Sequence, residues 1–298
     1  MKILLTGATG LLGSATTPWL MERRPDLELT LTSRHEPGER FKKLWRAIDL
    51  TDREATYSAI TKLNPDVVVH LAAMSLPDPC QTNPEEAFRA NFLGARNVAL
   101  ACDRFDAELL FLSTDQTFYG AHPELAHGEY DKTKPANIYG QTKILAENYI
   151  RSHLRRYYIV RTGKIFGGPN DTRSIVHKLF TAFKADDPFD VAKDWRAHLT
   201  HASYLAQALV QLIEKKTYGI YHVVSPGVPS YFEIAEYLLG LMKRPSHLAH
   251  PISALTLNLP AARASRCELS AKLWEADFNS SLQSWQEGIK LFLKERFC

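Results

Sequence analysis

The chain has 298 residues, 45% apolar and 23% charged, with 36 basic against 33 acidic side chains and a formal net charge of +3. This excludes a disordered or fibrous chain, and so small a net charge gives no reason to expect a nucleic-acid partner. The length predicts one large domain joined to a smaller one, with a core big enough to need no disulfide or metal staple.

The cysteines, Cys80, Cys102, Cys267 and Cys298, lack C-x-x-C spacing and read as reduced thiols of a cytoplasmic protein. "MKILLTG" is too short for a signal peptide, and the uncharged stretches near 197–213 and 245–262 contain His, Gln or Pro, so no membrane span is expected. The basic run "RFKKLWR" at 40–46 reads as a solvated face.

In chain order, "KILLTG" is a buried strand ending in glycine, and "LLGSATTPWLMERR" a helix carrying Pro18. "LELTLTSR" alternates as a strand, and a further short strand precedes Asp49. "DVVVHLAAM" is a continuous apolar strand, "EEAFRANFLGARNVALACDRF" a helix, and "AELLFLST" a strand. "IYGQTKILAENYIRSHL" follows as a helix and "RYYIVRTGKIFG" as a strand. The alternation predicts an α/β fold, a doubly wound parallel sheet of the Rossmann type.

Beyond about residue 167, "IVHKLFTAF", "YLAQALVQLIEK" and "SYFEIAEYLLGLM" read as helices, "GIYHVVS" as a strand and "HLAHPISALTLNLP" as loop. The tail "LSAKLWEADFNSSLQSWQEGIKLFLKERF" reads as two helices joined at "NSS". The expected organisation is an NAD(P)-binding domain over 1–167, regained by segments at about 190–225. A smaller C-terminal substrate-binding cap takes most of 168–298, interleaved with it.

"LLTGATGLLG" sets Gly7, Gly10 and Gly13 between the first strand and the first helix. Glycines there allow a tight turn and close backbone approach to a pyrophosphate at a helix N-terminus. The second strand ends at Ser33 and Arg34 with no acid before Glu36. A guanidinium suits a 2′-phosphate, so NADP(H) is preferred over NAD(H). Asp49 is placed to reach the adenine.

Tyr-x-x-x-Lys occurs twice, at Tyr130/Lys134 and Tyr139/Lys143. Pro135 pushes Lys134 out of the α region, so the first pair shares no helix. Tyr139 and Lys143 fall in a segment whose Ile138, Leu145, Ala146 and Tyr149 suggest a buried stripe, and they project together from a neighbouring face. An ammonium beside a phenol favours the phenolate and lowers its pKa, which readies the tyrosine for proton transfer. Ser113 and Thr114 end a strand where they could orient a carbonyl, and Asn91 could hold a water or brace the backbone.

His70 reads as a strand-end residue near the cofactor. His198 and His201 lack a third ligand, so no metal is expected. Trp195 with Arg196 either grips a nucleotide or forms a surface loop.

The layout of glycine loop, strand-end hydroxyl and Tyr-x-x-x-Lys helix resembles the extended branch of the short-chain dehydrogenase/reductase superfamily. Within that branch it is similar to the dTDP-4-dehydrorhamnose reductase group. "VVVHLAA", "NPEEAFRAN", "LSTD", "PANIYGQTK", "VRTGKIFG" and the tail ending "SWQEGIKLFL" stand in the expected order over nearly the whole length.

The resemblance implies Thr114, Tyr139 and Lys143 as catalytic, with NADPH reducing a nucleotide-linked 4-keto sugar. It implies cofactor contacts at Gly7, Gly10, Leu11, Leu12, Gly13, Ser33, Arg34, Asp49, Leu50, Leu71, Ala72, Ala73, Asn91, Tyr139, Lys143 and Ile165. Substrate contacts fall at Met74, Ser75, Asp115, Gln116 and Lys164.

Gln116 stands where that group carries an aromatic residue, and Lys164 where it carries tryptophan. Met74, Ser75, Asp78 and Pro79 replace its Tyr-Thr pair and Asp-Lys. A more polar, anionic substrate group is therefore expected. The partner is a small-molecule nucleotide sugar, with a homodimer as the assembly to test and neither nucleic acid nor membrane. A nucleotide-sugar epimerase or dehydratase, and a non-catalytic NADP-binding regulatory subunit, are the competing readings.

Overall fold

The computed structural model describes residues 1–121 and 126–297, so Cys298 lies outside the described residues. The first half contains β1 (Lys2–Thr6), α1 (Leu11–Arg23), β2 (Glu28–Thr32), α2 (Arg53–Leu63), β3 (Val67–His70), α3 (Pro77–Thr82), α4 (Pro84–Ala87), α5 (Gly94–Phe105), β4 (Glu108–Thr114), β5 (Ala126–His127) and α6 (Ile138–His153). The second contains β6 (Tyr157–Thr162), β7 (Lys164–Phe166), α7 (Ile175–Lys184), β8 (Phe189–Ala192), β9 (Arg196–Ala197), β10 (Leu199–His201), α8 (Ala202–Lys215), β11 (Gly219–His222), α9 (Tyr231–Met242), β12 (Ala249–Ile252), β13 (Arg266–Leu269), α10 (Lys272–Phe278) and α11 (Trp285–Phe297).

Six strands form a parallel sheet in the order β11-β6-β4-β3-β1-β2. The order reverses between β1 and β3, where the carboxyl ends of the strands open a crevice for a ligand. Strand alternation divides the core. Leu5, Val69, Leu110 and Val160 face Leu12 and Leu20 of α1 and Leu205 and Leu209 of α8. Their neighbours Leu4, Val68, Leu109 and Ile159 face Ile60 of α2, Val98 of α5 and Ile150 of α6. Because both faces are covered, these strands read as unbroken apolar runs. A separate core joins Val176 and Phe183 of α7, Ile234 and Leu238 of α9, and Ile289 and Phe292 of α11.

Four elements differ from the expectations. "RYYIVRTGKIFG" makes two strands: β6 stays in the sheet, and β7 leaves it to pair with β10. The break falls at Gly163, where a Cβ would lie 2.6 Å from the His198 carbonyl oxygen. The short strand before Asp49 shrinks to one bridge, Leu31 with Trp45. The helix over 85–105 is interrupted by a π-helical segment, Phe88–Leu93, which includes Asn91. The expected loop at 247–260 contains β12, which pairs with β8. In the basic run, Arg40, Lys42, Lys43 and Arg46 are exposed, while Phe41, Leu44 and Trp45 pack on the sheet core. No described helix is long and apolar enough to cross a membrane.

Candidate active site

The glycine turn brings the ends of β1 and β3 close together. Gly7 has φ 70°, and a Cβ there would sit 2.7 Å from the Ala72 nitrogen. A Cβ on Gly13 would sit 2.2 Å from the Gly7 oxygen, so any side chain forces the loop open. The Gly10 N–H donates to the Gly7 carbonyl at 2.9 Å. No side chain caps the start of α1, which leaves its first turn available to an anion. The Thr6 hydroxyl hydrogen-bonds the His70 Nδ1 (2.9 Å) and accepts from the Ala72 N–H (3.2 Å), fixing the Leu71–Ala73 edge beside the turn. His70 is buried, and burial lowers its pKa to about 3, so it packs as a neutral strand-end residue.

At the end of β2 the Ser33 hydroxyl donates to the His35 carbonyl at 2.6 Å. Arg34 is exposed and has no hydrogen bond or ion pair among the described residues, since the nearby Glu36 pairs with Lys42 at 3.3 Å. Asp49, expected at the adenine, has one oxygen occupied by the Thr51 N–H (2.9 Å) and hydroxyl (2.8 Å), which hold its carboxyl below the ordinary range. Leu50 is held by the Asn97 amide, 3.1 Å from its carbonyl.

Asn91 takes the bracing role expected of it. Its buried amide accepts from the Met74 N–H (2.7 Å) and donates to the Met74 carbonyl (3.1 Å) and the Thr142 hydroxyl (3.1 Å). That arrangement ties the loop after β3 to α6 and makes Asn91 a brace.

Helix α6 begins one residue before Tyr139, where Asn137 accepts from the Gly140 N–H at 2.9 Å. Tyr139 is 8% exposed and Lys143 2%. Tyr130, by contrast, is 76% exposed and lies outside any helix. The Lys143 ammonium stands 4.0 Å from the centroid of the Phe111 ring. Thr114, at the end of β4, donates to Asp115 Oδ1 at 3.1 Å and lies beside the Tyr139 phenol.

Burial pushes the Tyr139 pKa up, with Cys80 and Asp115 adding to the rise and Thr114 opposing it. Burial also brings Lys143 down to about 7, against the pull of Glu147 and Cys80. The expected lowering of the tyrosine by the ammonium is thus reversed. Desolvation outweighs what opposes it, Thr114 at the phenol and Glu147 with Cys80 at the ammonium.

Ser113 also departs from its expected place. Successive strand side chains point to opposite faces, so only Thr114 turns to Tyr139. Ser113 donates to Glu147, which is buried with Arg161 in an ion pair of 2.6 Å. The stripe on α6 therefore runs through Ala146, Glu147 and Ile150, while Leu145 is exposed.

On the substrate side, Asp115 is buried, and burial raises its pKa. Gln116 is buried and its Oε1 accepts from the Asn137 amide at 2.9 Å, so it sits beneath the start of α6. Met74 is half-buried, Ser75 exposed and Lys164 half-buried. Asp78 forms a two-pronged bond with Arg263 (2.9 and 2.6 Å) and accepts from the Ala261 N–H at 3.1 Å. Arg263 lies over the Trp195 ring, 5.5 Å from its centroid. Arg196 is committed to Glu233 at 3.0 Å, so it does not join Trp195 in a grip.

His198 bridges the Ser225 carbonyl and the Leu269 N–H, and His201 caps α8. Asp78–Arg263, Glu147–Arg161 and the bracing by Asn137 are absent from the sequence reading. Only Asn137 left a signal: an asparagine directly before a helical pattern is a capping residue.

A doubly wound sheet with a glycine turn after β1, a threonine ending β4 and Tyr-x-x-x-Lys on the next helix defines an extended short-chain dehydrogenase/reductase. The family model described as RmlD substrate binding domain matches residues 1–297. The chain belongs to this family. It is 31% identical over 294 residues to a dTDP-4-dehydrorhamnose reductase of Streptomyces griseus, covering 96% of this chain and 91% of that one. The crystal structure of a dTDP-4-dehydrorhamnose reductase from Clostridium acetobutylicum is similar at TM-score 0.89 and 27% identity, with both chains covered at 100%. Another from Bacillus anthracis, in complex with NADP, gives TM-score 0.87 at 27% identity, with 99% of each chain covered.

Proposed function

We propose that the chain is an NADPH-dependent reductase of a nucleotide-linked 4-keto sugar, of the dTDP-4-dehydrorhamnose reductase kind. The observation that carries this is the burial of Tyr139 and Lys143 on one face of α6, with Thr114 beside the phenol. In this reading residues 1–167, with about 190–225, hold the dinucleotide, and the remainder covers the sugar.

The residues present fit a dinucleotide. Gly7 and Gly13 let the turn close so tightly that a Cβ would strike its own backbone, and α1 starts without a side-chain cap. Gly7, Gly10, Leu11, Leu12 and Gly13 would hold the pyrophosphate, Ser33 and Arg34 the adenosine end, and Leu71, Ala72, Ala73 and Ile165 the adjoining wall. Bound there, NADPH supplies a hydride to the keto carbon.

The phenol does the complementary work. With its pKa raised by burial, Tyr139 carries its proton at neutral pH and passes it to the carbonyl oxygen as negative charge develops. The Thr114 hydroxyl orients that oxygen. Lys143 in its ammonium form stabilises the phenolate left behind. Asp115, Gln116, Lys164, Met74 and Ser75 form the sugar side.

Arg34 is assigned to a 2′-phosphate. Arg34→Ala should weaken NADPH binding about tenfold or more while leaving NADH binding unchanged, as read by fluorescence titration. Equal losses for both nucleotides would remove that assignment.

The reading as a whole is tested by following NADPH absorbance with freshly generated dTDP-4-keto-6-deoxy sugar. Oxidation of NADPH matched by a reduced sugar is expected. Tight NADPH binding with no oxidation would turn the reading away from reduction of this sugar.

A further inference from the structure

The Lys164 backbone is held in place, while its ammonium lacks a hydrogen-bonding partner among the described residues. The Lys164 backbone N–H donates to the His198 carbonyl at 2.8 Å, and the residue pairs with Leu199 where β7 meets β10. A Cβ at Gly163 would lie 2.6 Å from the same carbonyl oxygen, so the backbone passes close to it. The side chain is half-buried, with its ammonium 5.9 Å from the centroid of the Tyr119 ring. Among the described residues this ammonium makes no hydrogen bond and has no carboxylate within 4.0 Å.

Two carboxylates lie near enough for their fields to reach it, and both are already engaged. Asp78 is taken by the Arg263 guanidinium and the Ala261 N–H. Asp115 accepts from the Thr114 hydroxyl (3.1 Å) and the Tyr119 hydroxyl (3.4 Å). Asp115 directly follows Thr114, and Tyr119 lies between it and Lys164, so Lys164 stands on the Asp115 side of the site. Its donors are free to meet an anionic oxygen of a ligand.

We propose that Lys164 determines specificity by binding an anionic oxygen group of the substrate, a carboxylate on the sugar or the diphosphate that carries it. This rests on the nucleotide-sugar reading above. An apolar wall at the same position would select a neutral deoxy sugar, whereas a fixed ammonium rewards negative charge.

Isothermal titration of the NADP-loaded protein and of Lys164→Gln with dTDP-glucuronic acid, dTDP-glucose and thymidine tests the proposal. If the group is a sugar carboxylate, the wild type binds dTDP-glucuronic acid about tenfold more tightly than dTDP-glucose, and the variant loses that preference. If it is the diphosphate, both dTDP-sugars weaken about tenfold in the variant while thymidine does not. Lys164→Arg, which keeps the charge, should retain most of the effect. Unchanged affinities in Lys164→Gln, with NADPH binding intact, would overturn the role of Lys164 and leave the reductase reading standing. A wild-type protein that binds neither dTDP-sugar would overturn the nucleotide-sugar reading and this assignment with it.

Discussion

Tyr139→Phe should lower kcat by about a thousandfold while changing the NADPH dissociation constant less than about twofold. The substitution removes one oxygen from a side chain that is 8% exposed, so packing on α6 is kept and only the proton is lost. Stopped-flow NADPH oxidation gives the rate, and fluorescence titration gives the affinity. Turnover within tenfold of wild type would mean that another group delivers the proton.

The pH dependence follows from Lys143, whose pKa burial brings down to about 7. The ammonium that supports the phenolate is present below that pH and lost above it. kcat/KM for NADPH, which reports groups of the free enzyme, should therefore fall as pH rises through about 7. A flat profile across that range would remove Lys143 from the proton-transfer step.

The largest stability effect is expected at Glu147. Its carboxylate is fully buried and receives the Arg161 Nε (3.0 Å) and a second guanidinium N–H (2.6 Å) as well as the Ser113 hydroxyl. Glu147→Leu leaves a guanidinium 1% exposed without its counter-charge and should cost about 3–5 kcal/mol. Replacing both partners, Glu147→Leu with Arg161→Met, should recover much of that loss, because an apolar pair carries no desolvation penalty. Urea unfolding of the two single variants and the double variant measures the coupling. A single variant within about 1 kcal/mol of wild type would show that Arg161 is satisfied by its other contacts, the Glu129 carbonyl at 2.9 Å among them.

What could be read from the sequence was local in origin. The glycine turn, the alternating elements and the choice of Tyr139 over Tyr130 follow from spacing, helix period and the effect of Pro135 on its neighbour. Strand alternation also separates Ser113 from Thr114. Pairings that depend on the folded topology left no such trace. Asp78 and Arg263 are 185 residues apart, and neither sits in a periodic pattern. Leu145 fits an apolar helical stripe, whereas the buried position belongs to Glu147 and its distant arginine. The direction of the Tyr139 shift is hidden for a related reason, since spacing shows neighbouring charges but not how far water is excluded.

Asn137 bears on how this scaffold can acquire new substrates. One carboxamide holds the first turn of the helix carrying Tyr139, the Gln116 side chain and, at 2.8 Å, the Ala262 carbonyl in the segment between β12 and β13. That segment is therefore not an interchangeable module. Grafting residues 253–265 with a different backbone path would move the Ala262 carbonyl away from Asn137, two residues before the tyrosine, and loosen the start of its helix. Variation compatible with activity would be confined to side chains displayed on the segment, with its backbone path left unchanged.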